Sequence, residues 1–252
     1  MTEFFETNAG RRIAYEYVDG DGPGVVFLSG FMSDMSGSKA IDLAAWARET
    51  GRAFLRFDYS GHGQSSGAFT DGCISEWADD AKEIILAKTK GPQILIGSSM
   101  GGWISLLVAK ALPEKVAGFV GIAAAPDFTE NMFDHALTDA QRAEVMEQGQ
   151  TLLESEYDDP YPITKRLIED GRTQFVMDQT LEMNMPVRLL IARGDAIVRT
   201  ETQLAILDKL NSDDARFTVV KGGDHSFSGP RELRLIRKTI HSVTMAIQHG
   251  ED

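Results

Sequence analysis

Short, mainly apolar runs recur along this chain, and segments with helical periodicity separate them. Apolar runs without polar alternation indicate strands that are buried on both faces of a sheet, as in parallel sheets. The runs are GVVFLSG (24–30), AFLRFDYSG (53–61), QILIGSS (93–99), VAGFVGIAAA (116–125), PVRLLIARG (186–194) and ARFTVVKG (215–222). A half-exposed strand, RRIAYEYV (11–18), precedes them. This alternation predicts an α/β fold, with a mostly parallel sheet flanked by helices on both faces.

One long segment interrupts the alternation. Residues 127–186, from DFTENMFDHALTDAQ to QTLEMNMP, lie between two predicted core strands and carry helical patterns but no clear buried strand. A structureless loop of that length is uncommon inside a compact domain. We therefore expect a helical cap insertion over one end of the sheet, within a single domain that spans residues 1–252.

The charge balance narrows the range of partners. The chain has 252 residues, with 38 Asp and Glu against 25 Lys and Arg, for a net charge of −13. Because binding to nucleic acid needs a basic surface, we expect no nucleic-acid partner, and docking to anionic lipid is disfavoured. No apolar run is long enough to cross a bilayer, so stable membrane insertion is not expected.

Cysteine usage and the first residues of the chain suggest where the protein works. Cys73 is the one cysteine, which excludes a disulfide framework and a cysteine metal site. The opening MTEFFETNAGRRIAYEYVDG contains no apolar signal core. We expect a cytoplasmic protein that needs no metal and no cofactor. No feature of the sequence fixes an oligomeric state.

Two adjacent serines, Ser98 and Ser99, occur in LIGSSMGGW (95–103), between a predicted strand and an apolar helix. A sharp strand-to-helix turn that exposes a nucleophile carries the pattern Gly-x-Ser-x-Gly. The turn is so tight that the residues two before and two after the nucleophile must be small. For Ser99 these are Gly97 and Gly101, whereas Ser98 would place an isoleucine and a methionine there. Ser99 is therefore the predicted nucleophile.

A nucleophilic serine needs a base, usually a histidine that a carboxylate orients. His225, in KGGDHSFSG, follows the last predicted strand and is the predicted base, because the chain order in this fold is serine, acid, histidine. His62 lies on a loop after a core strand, where we expect a structural or pocket-lining role. His135 falls in the insertion, His241 in the last helix and His249 in a polar tail.

The orienting acid should follow the penultimate strand. Asp195, in LLIARGDAIVRTE, has that position and is the predicted acid. Asp127 follows the strand VAGFVGIAAA and is the alternative. Asp224 is adjacent to His225, and adjacent side chains rarely point toward one another productively. Asp58 is expected to organise the turn that follows its own strand.

Hydrolysis of an acyl group also needs donors for the oxyanion. The backbone N–H of Met100 begins a helix whose dipole favours negative charge. By position, the second donor is the N–H of Phe31, in the loop LSGFMSDMSG. Met32, Met35 and His62 are candidates to bind substrate, with core packing as the alternative role for the two methionines.

Together these motifs resemble the alpha/beta-hydrolase superfamily over nearly the whole chain. Five blocks are most similar to its palmitoyl-protein thioesterase and acyl-glucuronide esterase group and the bacterial relatives of that group: GFMSDMSGSKA, RFDYSGHGQSSG, GPQILIGSSMGGW, PEKVAGFVGIAAAPDF and PVRLLIARGDAIV. The resemblance implies a Ser99–Asp195–His225 triad, a helical cap over the site, and hydrolysis of S-acyl thioesters or acyl esters. The substrate would be a small-molecule ester or an acylated protein.

Two other functions stay open. One is a general carboxylesterase that acts on small oxyesters. The other is a non-catalytic binding protein that has kept the same fold.

Overall fold

The computed structural model describes residues 1–154 and 160–250. Its strands, in chain order, are β1 (Glu3–Glu6), β2 (Arg12–Val18), β3 (Asp21–Leu28), β4 (Arg52–Phe57), β5 (Gln93–Ser98), β6 (Val116–Ile122), β7 (Gln150–Leu153), β8 (Tyr161–Thr164), β9 (Val187–Ala192) and β10 (Ala215–Val220). Eight of them form one sheet in the order β1-β2-β4-β3-β5-β6-β9-β10. The pairs β1–β2 and β2–β4 are antiparallel and the others are parallel. The predicted α/β fold with a mostly parallel sheet is confirmed.

Helices cover both faces of this sheet. They are α1 (Ser38–Thr50), α2 (Ile74–Lys88), α3 (Met100–Ala111), α4 (Phe128–Asn131), α5 (Asp139–Gln148), α6 (Lys165–Thr173), α7 (Thr200–Lys209) and α8 (Pro230–His249). Alternate residues of β3 belong to different apolar cores, because successive side chains of a strand point to opposite faces. Val25 and Phe27 pack with α1 and α8, whereas Val26 and Leu28 pack with α2, α3 and α7. No helix of the described residues is long and apolar enough to cross a bilayer.

The segment 127–186 contains α4, a π-helical turn (Met132–Ala136), α5, α6 and also the antiparallel hairpin of β7 and β8. The helices were predicted from the sequence, but the hairpin was not. Its strands, QTLL and YPIT, have only four residues each, which is too short to show a regular alternation of polar and apolar side chains. Residues 155–159 of the predicted cap lie outside the described residues.

Polar contacts fix this segment to α2 and α3. The carboxylate of Asp170 accepts hydrogen bonds from the backbone N (2.9 Å) and Oγ (2.5 Å) of Ser75, in the first turn of α2. Arg166 forms an ion pair with Glu76 in the same turn. From α3, the indole Nε1 of Trp103 donates to a backbone carbonyl just after α6. These contacts place α6 beside the carboxyl edge of the sheet, where Ser99 follows β5.

Candidate active site

Ser99 lies in a strained turn between β5 and α3. Its φ of 52° and ψ of −118° are unusual for a residue with a side chain, and such geometry costs about 1–3 kcal/mol. Backbone hydrogen bonds hold it in place: Ser99 N donates to Ile122 O (2.9 Å), and Ser99 O accepts from Gly102 N (2.8 Å) and Ala125 N (3.1 Å). Ser99 is half-buried at the carboxyl end of β5, while neighbouring Ser98 is buried within that strand.

Gly97 and Gly101, two residues before and two after Ser99, have no space for a side chain. A Cβ atom at Gly97 would lie closer than 3.0 Å to the carbonyl oxygen of Gly101. A Cβ atom at Gly101 would come equally close to the carbonyl oxygen of Leu28. The Gly-x-Ser-x-Gly spacing therefore has the steric cause that the sequence predicted.

Three side chains from separate loops form one hydrogen-bonded chain. His225 Nε2 lies 3.1 Å from Ser99 Oγ, and His225 Nδ1 lies 2.9 Å from Asp195 Oδ2. The Asp195 side chain is 1% exposed, so water does not compete for its bond to the imidazole. Its other oxygen, Oδ1, accepts from the backbone N of Ile197 (2.9 Å) and of Val198 (2.8 Å).

This arrangement selects one tautomer of His225. An ionised carboxylate can only accept, so the proton of a neutral imidazole resides on Nδ1, facing Asp195. Nε2 then presents a lone pair to the Ser99 hydroxyl, which is the arrangement that a general base requires.

The two other acids considered from the sequence have different contacts. The Asp127 carboxylate accepts from the backbone N of Val176 (3.0 Å) and Met177 (2.9 Å) and ties the loop after α6 to the sheet. Burial raises the pKa of Asp127, and these two N–H groups oppose the rise. Asp224 accepts from Ser226 Oγ (2.6 Å), which lowers the pKa of Asp224. Asp195 is thus the acid that contacts His225, whereas Asp127 and Asp224 form hydrogen bonds that hold their own loops in place.

Two backbone N–H groups beside Ser99 are available as donors. Within residues 1–154 and 160–250, the amides of Phe31 and Met100 have no acceptor. Met100 is the first residue of α3, where the helix dipole adds positive potential. Gly30 lies against Ser99, since a Cβ built on Gly30 would be 3.5 Å from Ser99 Cβ. The loop that carries Phe31 is therefore next to the serine, as an oxyanion site requires.

The Phe31 ring joins this loop to the inserted segment. It makes edge contacts with Phe128, the first residue of α4 (centroids 5.5 Å apart), and with Tyr161 of β8 (5.7 Å). It also contacts Phe69 (4.9 Å), in the loop before α2, and Trp77 of α2 (6.2 Å). The sequence did not predict this cluster, because its members are far apart along the chain.

The three candidate substrate-binding residues differ in exposure. Met32 has a positive φ of 52° and is 39% exposed. Met35 and His62 are each 4% exposed, so they would reach a substrate only after the surrounding loops move. Both lie near Asp58, which accepts from Met35 N (2.7 Å) and Gln64 N (2.8 Å) and organises the predicted turn.

His62, His135 and His241 form no hydrogen bond with Ser99. His62 is enclosed by aromatic rings, its Nδ1 lies 3.1 Å from Ser60 O, and burial lowers its pKa. His135 is exposed in the π-helical turn and His241 is exposed on α8. Among the described residues, no three His, Cys, Asp or Glu side chains converge as a metal site would need.

The sequence did not predict the contact between Lys39 and the loop that carries His225. From the start of α1, its Nζ donates to Ser226 O (2.5 Å), next to His225. Burial lowers the pKa of Lys39 to about 8, although Asp224 opposes the shift. The loop that carries His225 is thus anchored by an ammonium group from a distant part of the chain.

This buried ammonium predicts a rise in stability at alkaline pH. The folded protein binds the Lys39 proton less tightly than the unfolded chain, so the free energy of unfolding should rise between pH 8 and 10.5. At about 1.4 kcal/mol per pKa unit, the rise is at most about 3.5 kcal/mol. Urea denaturation of Lys39→Met should lack this rise, and Lys110→Met, which removes an exposed lysine, should retain it. The prediction would be contradicted if the free energy of unfolding changed with pH in the same way for wild type and Lys39→Met.

Comparison with known proteins gives consistent matches. The family model for serine aminopeptidase, S33, matches residues 23–159. The palmitoyl-protein thioesterase ABHD10, mitochondrial, of Rattus norvegicus is 34% identical over 233 residues, which cover 92% of this chain and 78% of that protein. A putative hydrolase from Agrobacterium vitis S4 superimposes with a TM-score of 0.91 at 36% identity, covering 96% of this chain and 98% of its own. Alpha/beta hydrolase domain-containing protein 10 from mouse superimposes with a TM-score of 0.90 at 32% identity, and the match covers 98% of this chain and 99% of that one.

Proposed function

The chain belongs to the alpha/beta-hydrolase family, and we propose that it cleaves acyl thioesters and acyl esters with Ser99, His225 and Asp195 as its catalytic triad. The observation that carries this proposal is the hydrogen-bonded chain from Ser99 Oγ through His225 to Asp195 at a strained turn. The relatives that carry the name palmitoyl-protein thioesterase support the thioester class.

In the first half of the reaction, Ser99 Oγ attacks the acyl carbonyl carbon while His225 Nε2 takes the hydroxyl proton. The amides of Phe31 and Met100 stabilise the negative oxygen of the tetrahedral intermediate. His225 then gives its proton to the leaving sulfur or oxygen, and the C–S or C–O bond breaks. A thiol or alcohol departs and the acyl group remains on Ser99.

In the second half, water replaces the leaving group. His225 Nε2 takes a proton from the water as it attacks the acyl-enzyme, and returns that proton to Ser99 Oγ as the acid product leaves. Asp195 stabilises the imidazolium that forms in both halves. No metal or cofactor is needed for these steps.

We further propose that residues 127–186 act as the cap over this site within one domain. The contacts of Phe31 with Phe128 and Tyr161 support this role, because they join the loop that carries Phe31 to the insertion. Exposed Met32, next to Phe31, is the candidate with the most surface for an acyl chain.

A matched series of acyl thioesters and oxyesters, from short to long chains, tests the substrate class. We expect turnover of thioesters to exceed that of matched oxyesters, with a preference that rises with chain length. The aromatic cluster around Phe31 beside Ser99 favours a rival, a carboxylesterase for small oxyesters, since rings already fill this space. A preference for short oxyesters across the series would establish that rival instead.

The location of the protein remains a prediction. The sequence led us to expect a cytoplasmic protein, whereas the ABHD10 relatives carry the word mitochondrial in their names. Fractionation of the source cells with an antibody to the chain would check the cytoplasmic location.

A further inference from the structure

A second concave site lies far from Ser99. It is a groove of about 340 Å³ between α1 and α8, lined by Trp46, Thr50, Arg52, Arg237, Lys238 and His241. Arg52 is the first residue of β4, so the groove is at the amino edge of the parallel strands. Ser99 follows the carboxyl end of β5, at the opposite edge. We call this second site the α1–α8 groove.

The α1–α8 groove gathers positive charge in a chain that is strongly acidic overall. Three of its six lining residues are Arg or Lys, and a fourth is His, although the net charge of the chain is −13. Arg237 pairs with Asp42 at 3.1 Å. In the part of the chain that the structure describes, no other carboxylate lies within 4.0 Å of a cationic nitrogen of the groove. Arg52 and Lys238 therefore contribute two positive charges that no carboxylate of the described residues neutralises.

The surroundings of Arg52 are unusual for a guanidinium. Its Nη1 donates to Pro23 O (2.9 Å), and its guanidinium carbon lies 5.7 Å from the centre of the Trp46 ring. Burial lowers the pKa of Arg52, and no charged partner offsets this effect. A partly buried cation without a carboxylate is costly, and a bound anion would offset that cost.

We propose that the α1–α8 groove binds a small molecule that carries a phosphate group. A phosphate dianion matches the two uncompensated charges, and the planar Arg52 fork suits its oxygens. The groove is larger than a phosphate ion, so part of the ligand is organic, and the half-buried Trp46 offers it an apolar wall. A flat anionic membrane is a poorer fit, because the site is concave and the rest of the protein carries excess negative charge.

Isothermal titration with phenyl phosphate, and with phenol as the uncharged control, tests this site. We expect phenyl phosphate to bind and phenol not to bind. Affinity should fall about tenfold or more in Arg52→Gln and in Lys238→Gln, because each removes one of the two uncompensated charges. Lys238 is exposed, so Lys238→Gln should fold normally and keep full ester hydrolysis. Arg48→Gln is the matched control, since Arg48 is on α1 but pairs with Glu16 outside the groove.

Three outcomes would overturn the proposal. The first is no binding of phenyl phosphate to the wild type at about 10 mM, well above the millimolar Kd expected for a site with few contacts. The second is equal affinity in wild type and in both groove variants, which would place the ligand elsewhere. The third is co-sedimentation with phosphatidylglycerol vesicles, lost in Lys238→Gln, without binding of phenyl phosphate. That result would identify a lipid headgroup as the source of phosphate.

Discussion

Ser99→Ala is expected to lower kcat/KM for any acyl substrate by about 10⁴-fold or more, and to abolish labelling by a fluorophosphonate probe. The change removes the one oxygen that His225 Nε2 contacts across 3.1 Å, and no covalent intermediate can then form. Alanine keeps the Cβ atom and tolerates the same backbone geometry no worse than serine does. The variant should therefore unfold at nearly the wild-type urea concentration.

Ser98→Ala is the matched control for this experiment. Ser98 is adjacent in the sequence but is 6% exposed within β5, so its loss should leave labelling and turnover close to wild type. Loss of labelling in Ser98→Ala but not in Ser99→Ala would reverse the assignment of the nucleophile. A folded wild type that is never labelled would favour the non-catalytic binding protein.

The core strands and the loops that carry Ser99, Asp195 and His225 could be predicted because local patterns encode them, whereas the order of the strands in the sheet was not predicted. Apolar runs such as VVFL of β3 are buried on both faces, and their length and turn residues separate them from the helices. The position of Ser99 follows from sterics alone, since the neighbouring glycines admit no side chain. His225 and Asp195 could be placed because parallel strands bring the loops after their carboxyl ends to one edge.

Contacts between distant parts of the chain could not be predicted in this way. Nothing near Lys39 in the sequence indicates that its ammonium meets Ser226, 187 residues later. The Phe31 cluster and the β7–β8 hairpin depend equally on how the insertion docks. Asp127 was a reasonable alternative acid by position. Its φ of 55° and its bonds to the loop after α6 appear only in three dimensions.

Asp195→Asn is the second change with a large expected effect, and it should lower kcat by about 10³- to 10⁴-fold with little change in KM. An amide can offer its NH₂ group to His225 Nδ1, which would move the imidazole proton to Nε2 and leave no lone pair for Ser99. The backbone N–H groups of Ile197 and Val198 favour this orientation, because they need the remaining oxygen as an acceptor.

Asp127→Asn separates this catalytic effect from simple loss of a buried carboxylate. Asp127 is also held by two backbone N–H groups, from Val176 and Met177, but has no contact with His225. The variant should therefore lose up to about 1–3 kcal/mol of stability, because one of those N–H groups loses its acceptor, while kcat stays within a few-fold of wild type. Stopped-flow kinetics and urea denaturation on both variants measure the two effects separately. A collapse of kcat in Asp127→Asn with full activity in Asp195→Asn would move the acid to the end of β6. A collapse of kcat in Asp195→Asn with nearly full activity in Asp127→Asn would mean that the hydrogen bond of 2.9 Å between Asp195 and His225 sets the imidazole tautomer. The chemistry of Ser99 depends on that tautomer.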